Sequence, residues 1–275
     1  MTAEPRSWLF VPADSEKKIA RALECGADAI IFDLEDSVAP AGKVAAREIV
    51  KGLTASDTSQ LWVRVNPFAS EWHKEDLEVF ANAAIHGVVL PKAESGSDVV
   101  ELAHRTGNIP VHAIVTETAA SLFGLLSYRG SPSLVAMSWG AEDLSADLGA
   151  SSKHDENGKL SFTYKMARSL CLAGARAAGV QPVDGVFTDF RDESGLILEA
   201  LAAAREGFTG KLAIHPAQVA HINEAFTPSN DEIAHARAVV DAFAAQPDAG
   251  VLSIDGKMVD RPHLTQAERV LARVR

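Results

Sequence analysis

The chain has 275 residues, of which 47% are hydrophobic and 23% are charged, a composition typical of a globular protein and not of a disordered or fibrous one. Its formal net charge of −11 at pH 7, with lysines and arginines scattered singly, argues against nucleic acid as a partner. No apolar run approaches the roughly 20 residues that span a bilayer, and the N-terminal segment has no secretory apolar stretch, so we expect a cytoplasmic protein that does not contact a membrane.

Eight short runs rich in Val, Ile, Leu and Phe recur along the chain, separated by amphipathic segments with helix starts and stops. In chain order, the predicted strands lie at 7–12, 29–35, 61–66, 87–92, 111–117, 134–143, 183–187 and 211–216. Strands that alternate with helices predict a parallel sheet, and eight such units favour a closed (β/α)₈ TIM barrel. An open doubly wound sheet is the alternative, although no G-x-G-x-x-G follows the first strand.

Amphipathic segments with capping signals predict the helices between these strands. In the first, at 14–26, Asp14 or Ser15 can cap the first turn, and Gly26 can end the last turn in a left-handed conformation. The other predicted helices lie at 41–53, 74–84, 95–107, 162–179, 192–207 and 216–226.

After Phe226 the strand–helix rhythm stops. We therefore predict two parts, a catalytic barrel over residues 1–228 and a C-terminal arm or lid over residues 229–275. The arm opens with a helix at 232–245 and carries the segment DGKMVD at 255–260. Its size suits a lid that covers its own barrel or reaches a neighbouring subunit.

Ionisable residues cluster at the C-terminal ends of the predicted strands, and in a barrel these ends converge on the face, here called the mouth, where active sites lie. A single such charge need only mark a strand that leaves the core. Arg64 and Glu117, however, lie within apolar runs where an unpaired charge is costly, so each should have an opposite charge, a metal or an anionic ligand beside it. The full set is Asp33, Glu35, Asp36, Arg64, Lys92, Glu117, Glu142, Asp143 and His215.

Two of these acids, Glu117 and Asp143, end neighbouring predicted strands and could present two carboxylates to one cation. With no His or Cys nearby, they suit a hard ion such as Mg²⁺, which commonly takes one or two carboxylates and completes its shell with water and substrate oxygens. A surface acid pair is the alternative. Arg64 could hold a substrate carboxylate through two parallel hydrogen bonds, the alternative being a salt bridge with Glu35 or Asp33 at the barrel rim.

Several motifs follow one another in an order and spacing that resemble one known family. They include FDLED, VRVNP, PKAES, GAEDL and IHPAQ, together with RSWLFVPAD, TETAASL and DGKMVDRP. Over nearly the whole chain the sequence is similar to the citrate lyase β-subunit-like family, whose relatives include malyl-CoA and citramalyl-CoA lyases.

The resemblance implies a Mg²⁺-dependent carbon–carbon lyase that forms a homotrimer or a dimer of trimers. Such an enzyme would cleave or form a 3-hydroxy-acid thioester such as citryl-, malyl- or citramalyl-CoA, giving a keto acid such as oxaloacetate and an acyl thioester. The family pattern implies metal ligands at Glu117 and Asp143, a substrate-binding arginine at Arg64, and an acid/base aspartate at Asp260, delivered from the tail of a neighbouring subunit. The other predicted substrate-binding residues around the mouth are Glu35, Asp36, Lys92, Glu142 and His215.

Several alternatives stay open. The same site could hydrolyse the thioester, or the barrel could be a catalytically silent binding protein, although the intact set of implied site residues argues against loss of catalysis. By sequence alone, Asp260 could be only a turn-forming acid before Pro262. No Lys/Arg cluster obviously suits the phosphates of coenzyme A, so acyl-carrier-protein thioesters are a second substrate class. The acyl groups differ by small substituents, which a pocket distinguishes by only about 1 to 3 kcal/mol.

Overall fold

The computed structural model describes residues 4–274, and its central element is a closed barrel of eight parallel strands. Each strand pairs with the next, and β1 pairs with β8 to close the ring. The strands are β1 (Ser7–Pro12), β2 (Ala29–Asp33), β3 (Gln60–Arg64), β4 (Gly87–Leu90), β5 (Val111–Val115), β6 (Leu134–Trp139), β7 (Gln181–Asp184) and β8 (Gly210–Ala213). The predicted TIM barrel is confirmed, and the open doubly wound sheet is wrong. Residues 1–3 of the predicted barrel and residue 275 of the predicted arm lie outside the described residues.

Most strands end earlier than predicted, because the charged residues lie beyond the last backbone pairs. The clearest case is the segment 134–143, in which β6 ends at Trp139. Glu142 and Asp143 lie instead in the first turn of a helix, where the partial positive charge of the helix N-terminus favours acidic side chains. The mouth is therefore built from loops and helix starts that follow the strands.

Helices surround the barrel. They are α1 (Glu16–Leu23), α2 (Lys43–Lys51), α3 (His73–Asp76), α4 (Gly96–Arg105), α5 (Ser121–Gly124), α6 (Ala141–Asp147), α7 (Phe162–Ala178), α8 (Glu193–Glu206) and α9 (Val219–Ala225). The prediction of one helix over 74–84 is wrong, since α3 gives way to a 3₁₀ helix at Leu77–Ala81. Asp76 lies at this change, with its buried carboxylate bonded to Arg47 and to the backbone of Asn66, and these tertiary contacts outweigh local helix propensity.

Inward-facing side chains fill the barrel interior and leave one polar pair at its centre. Trp8 and Trp62 pack edge to face with ring centroids 5.0 Å apart, and His112 packs against Trp8 at 4.6 Å. His112 Nε2 lies 2.9 Å from the hydroxyl of Ser138, and burial without a charged partner lowers the pKa of His112 to about 3. The imidazole is therefore neutral in the folded protein.

Past the barrel, the chain forms an antiparallel hairpin between two helices. The elements are α10 (Asn230–Ala245), β9 (Val251–Ile254), β10 (Lys257–Asp260) and α11 (Arg261–Leu271). Asp255 and Gly256 both have positive φ, as a tight hairpin turn requires, and this Asp-Gly signal was missed in the sequence. These elements share a small apolar cluster of their own, which consists of Ala236, Val239, Phe243, Val259 and Ala267. The division into barrel and arm at residue 229 remains a prediction.

No helix within residues 4–274 is both long enough and apolar enough to cross a membrane.

The buried imidazole should make stability depend on pH. The folded protein keeps His112 neutral, whereas the unfolded chain binds a proton there below about pH 6.5, so falling pH favours unfolding. Relative to His112→Asn, which removes the titrating group, the wild type should lose about 2 kcal/mol of unfolding free energy between pH 7 and pH 5. Urea unfolding of both proteins at the two pH values measures this difference. Parallel pH dependence in the two proteins would contradict the assignment.

Candidate active site

Charged side chains from the ends of β2 to β6 meet at the barrel mouth. The ammonium of Lys92 lies 2.7 Å from Glu35 Oε1 and 2.9 Å from Asp143 Oδ1, and the backbone amide of Lys92 donates to Glu117 Oε2 at 2.6 Å. Arg64 Nη1 lies 2.9 Å from Glu35 Oε2. Five of the candidate residues are thus within one contact network, although they are spread over more than 100 positions of the sequence.

Arg64 is held by two acids of its own barrel. Its Nε and Nη2 donate to the two carboxylate oxygens of Asp33, both at 2.7 Å, and its guanidinium lies 4.6 Å over the ring of Phe10. Burial alone would raise the pKa of Asp33, but the attraction and hydrogen bonds of Arg64 outweigh burial and hold that pKa below its usual range. Arg64 thus forms the salt bridges with Asp33 and Glu35 that were the alternative to substrate binding. Nη1 lies beside Glu35 without donating a hydrogen bond to it, so N–H groups of Nη1 and Nη2 remain for an incoming anion.

Glu117 is a buried carboxyl group in a confined space. Its exposed fraction is 3%, and a Cβ added at Gly140 would lie only 2.6 Å from its Oε1, so a larger residue there would force the Glu117 side chain to shift. Burial, together with the nearby carboxylate of Asp143, raises the pKa of Glu117 to about 8. Without a metal ion beside it, this carboxyl group is mostly protonated at neutral pH.

Two residues in the turns after β4 and β5 have unusual backbone geometry. Lys92 and Thr116 follow neighbouring strands, and both are non-glycine residues with positive φ, at 51° and 59°. Such conformations are uncommon and persist only where the surrounding structure holds them. They cluster where Lys92 contacts Glu117, as is common for functional sites.

Three other predicted residues of the mouth lie at its edge. Asp36 is exposed, and its carboxylate is 3.8 Å from the Lys92 ammonium. Glu142 pairs with Lys153. His215 caps the 3₁₀ helix Pro216–Gln218 and stacks on Phe190 at 4.8 Å. Among the described ion pairs, Asp36 is the one of these three residues that contacts Lys92.

The predicted acid/base aspartate, Asp260, lies in the arm. Its carboxylate contacts His263 and caps the start of α11, so its described polar partner belongs to the arm as well. The hydrogen bond from His263 is the main cause that lowers the pKa of Asp260. Among the hydrogen bonds and ion pairs of the described residues, none joins Asp260 to the mouth of its own barrel.

A buried network that the sequence reading missed supports the loop carrying Glu35. Lys43 donates to the carbonyl oxygens of Leu34 and Glu35 at 2.6 and 2.8 Å, and to Asn66 Oδ1 at 2.9 Å. Asn66 in turn donates to Asp76 at 2.7 Å. A signal did exist, because Lys43 lies on the same buried face of α2 as Ala46 and Val50, where a charge must find partners.

The donor set at the mouth suits a hard divalent cation better than a transition metal. Among residues 4–274, no group of three or more His, Cys, Asp or Glu side chains is arranged around a common metal position. Glu117 and Asp143 offer oxygen donors alone, which is typical of Mg²⁺ sites that are completed by water and substrate. The network holds five carboxyl groups, those of Asp33, Glu35, Asp36, Glu117 and Asp143, and three cationic groups, those of Lys43, Arg64 and Lys92. If all are ionised, the surplus is two negative charges, which one divalent cation would balance.

The chain matches known proteins over nearly its full length. Residues 6–216 match the family model HpcH/HpaI aldolase/citrate lyase, and residues 162–275 match a model described as a C–C bond lyase of the TIM-barrel fold. A relative named (3S)-malyl-CoA thioesterase, from Cereibacter sphaeroides strain KD131, is 37% identical, with 98% of this chain and 94% of the relative covered.

Two solved structures from Mycobacterium tuberculosis are also similar. One is CitE in complex with magnesium, acetoacetate and coenzyme A, which has a TM-score of 0.83 and 38% identity, with 99% of this chain and 98% of the other covered. The second is a citrate lyase beta subunit complexed with oxaloacetate and magnesium, with a TM-score of 0.75 and 39% identity, covering 82% of this chain and 98% of the other. The chain therefore belongs to the HpcH/HpaI aldolase/citrate lyase family.

Proposed function

We propose that this protein is a Mg²⁺-dependent lyase that cleaves or forms the carbon–carbon bond of a 3-hydroxy-acid thioester, such as citryl-, malyl- or citramalyl-CoA. The products of cleavage are a keto acid and an acyl thioester. The observation that carries the proposal is the pair of carboxyl groups of Glu117 and Asp143 at the mouth, where the first is buried and its pKa is raised towards 8. An acid pair of which one member is buried is stabilised by a cation.

Glu117 and Asp143 would hold the metal. The oxygen donors and the surplus negative charge fit Mg²⁺, and the magnesium complexes of the two Mycobacterium tuberculosis relatives support the choice. Bound Mg²⁺ supplies Lewis-acid polarisation of the oxygens of the reacting acid.

Arg64 would hold negative charge on the substrate. Two of its N–H groups are committed to Asp33, which fixes the plane of the guanidinium, and Nη1 is also ion-paired with Glu35. A carboxylate or the oxygen of an enolate would therefore share Nη1 with that acid or bind the second N–H of Nη2. Donors fixed in advance stabilise developing charge without reorganising during the reaction. Asp33 is therefore a positioning residue in this proposal.

Asp260 would complete the reaction by proton transfer. In cleavage, the Asp260 carboxylate would take the proton of the substrate hydroxyl, the carbon–carbon bond would break, and the resulting thioester enolate must gain a proton on carbon. We assign this proton to Asp260, as general acid. In the direction of synthesis, the same carboxylate would remove it.

We further propose that Asp260 acts on the barrel of a neighbouring subunit in a homotrimer or a dimer of trimers. Burial, and then the charge of Arg269, lower the pKa of Arg176, and the charges of Glu4 and Arg273 also act on it. Because Arg269 and Arg273 belong to the end of the arm, that end lies near the end of α7 and the start of the barrel. Both of these points are on the face opposite the mouth, because α7 runs antiparallel to the strands. An arm rooted there can project its far end towards a second barrel.

Thioester hydrolysis is the second candidate function. The observation that favours it is the similarity to a curated (3S)-malyl-CoA thioesterase over nearly the whole chain. Hydrolysis would use the same acyl thioester and mouth but would release free thiol and an intact hydroxy acid. Thioesters of coenzyme A are the proposed substrates, with acyl-carrier-protein thioesters as the second class.

A pH-dependent stability measurement tests the metal ligand Glu117. Because burial raises its folded pKa from 4.5 to about 8, its contribution to stability is complete below about pH 4.5 and is lost as pH rises towards 8. Relative to Glu117→Gln, the metal-free wild type should lose about 1.4 kcal/mol per pH unit between pH 5 and pH 8. Saturating Mg²⁺ should restore the wild type alone. Urea unfolding with a chelator and with Mg²⁺ measures both effects, and equal stabilisation of Glu117→Gln by Mg²⁺ would remove Glu117 from the site.

A substrate panel tests the reaction. Citryl-, malyl-, citramalyl- and hydroxymethylglutaryl-CoA are incubated separately with enzyme and Mg²⁺, and both keto acid and free thiol are measured. We expect keto acid from at least one thioester, without stoichiometric free thiol, and a loss of about 100-fold or more in Asp143→Asn, because metal polarisation is lost. Free thiol without keto acid would establish thioesterase activity instead. Neither product from any thioester would contradict both candidate functions.

Subunit mixing tests the arm. Asp260→Asn and Glu117→Gln should each be inactive, but a mixed oligomer can pair the intact barrel of the first with the intact arm of the second. After random exchange at equal concentrations, activity should return to about a quarter of the wild-type value, because only such heterologous pairs are complete. Native mass spectrometry verifies exchange, and Glu117→Gln mixed with Asp143→Asn, both defective in the barrel, is the control that should stay inactive. Verified exchange without recovery of activity would show that Asp260 does not act across subunits.

A further inference from the structure

One side chain at the mouth contacts three acids, two from the loop after β2 and one from the start of α6. The ammonium of Lys92 lies 2.7 Å from Glu35, 2.9 Å from Asp143 and 3.8 Å from Asp36. Its exposed fraction is 29%, so it is partly withdrawn from water while facing several negative charges. Among the described ion pairs, it is the cation that links Asp143 to the acids after β2.

The backbone of the same residue contacts the other proposed metal ligand. The amide of Lys92 donates to Glu117 Oε2 at 2.6 Å, and Lys92 has a left-handed backbone conformation, with φ of 51°. One residue thus binds Glu117 through its backbone and Asp143 through its side chain. An unusual backbone conformation is retained where it serves both contacts.

The pocket around the ammonium is not fully satisfied by the protein. Glu35 is 3% exposed, yet its Oε2 has no hydrogen-bond partner despite the ion pair with Arg64 at 2.9 Å. A buried carboxylate oxygen that accepts no hydrogen bond is costly, so the cluster has capacity for a further positive charge or hydrogen-bond donor. Glu35 can keep Lys92 when Asp143 turns to another cation.

We propose that the Lys92 ammonium is a built-in counter-ion of Asp143, which a divalent cation must displace on binding, so that Lys92 sets the metal affinity of the site. The inference rests on the proposed function, since it takes Glu117 and Asp143 as the metal ligands. In the metal-free protein, the ammonium neutralises Asp143. When the cation arrives, the ammonium stays with Glu35, and the amide of Lys92 continues to orient Glu117.

The direction of the expected effect separates this role from a structural one. A variant that damages the mouth should bind metal more weakly, because its ligands lose their positions. A variant that removes only the competing ammonium should bind metal more tightly. Lys92→Asn is suitable, because asparagine tolerates a left-handed backbone and keeps the amide that donates to Glu117.

The test is a calorimetric titration of the full-length protein with Mg²⁺ and, separately, with Mn²⁺. Lys92→Asn should bind about fivefold more tightly than wild type, the size of effect that one partly exposed ion pair supports. Lys92→Arg keeps the charge and should bind no more tightly than wild type. Lys153→Asn is the matched control, since it removes the same charge beside Glu142, one position from Asp143, and should change affinity less than about twofold.

A second measurement does not require a tight titration. Compared with wild type, Lys92→Asn should have a lower melting temperature without metal and a larger increase at the same excess of Mg²⁺, because the stabilisation by a ligand grows with the logarithm of its concentration divided by Kd. If Lys92→Asn does not fold, Lys92→Gln takes its place in both measurements.

The outcomes separate this inference from the proposed metal site. If wild type binds Mg²⁺ and Glu117→Gln does not, the metal site stands, and equal or weaker binding by Lys92→Asn then overturns the counter-ion role alone. Absence of binding by both wild type and Lys92→Asn overturns the site and the counter-ion role together. Binding by Lys92→Asn where wild type has none would support displacement in its strongest form.

Discussion

The mouth of this barrel depends on one electrostatic constraint, which is that several carboxyl groups must share a space largely withdrawn from water. Parallel strands that close into a ring bring their C-terminal ends to one face, so acids far apart in sequence become neighbours. Withdrawal from water makes each negative charge costly unless a positive group is beside it. Arg64 forms an ion pair with Asp33, and Lys92 forms ion pairs with Glu35 and Asp143. Glu117 has a raised pKa instead. A divalent cation would balance the negative charge that remains.

Support for this arrangement comes from behind the mouth. Lys43 holds the loop after β2 through two carbonyl oxygens, and Asn66 and Asp76 continue that network to Arg47. These groups are buried, so each contact lies in a low-dielectric environment and is worth more than the same contact at the surface. These side chains therefore fix the positions of the residues to which we assign the chemistry. This is the usual relation between a reactive site and the shell around it.

The fold was predictable because its signals are periodic and local. Eight apolar runs with helices between them admit few arrangements, and their C-terminal charges predicted which face would carry the site. What escaped prediction depends on tertiary contacts, such as the break at Asp76 and the partners of Lys43. The sequence left two possible partners for Arg64, a substrate carboxylate or an acid of the neighbouring strand such as Asp33. Spacing along the chain cannot distinguish a bound ligand from such an acid. The β9–β10 hairpin is different, because the Asp255–Gly256 pair carried a local turn signal that was overlooked.

Gly140 shows that the mouth is shaped by a missing side chain as well as by charged ones. Any Cβ at this position would meet the carboxyl group of Glu117 at 2.6 Å, at the junction between β6 and α6. A related barrel could keep both acids and still lose their arrangement through a single larger residue here. In comparing sequences of such barrels, an intact site is therefore marked by this glycine together with the two acids.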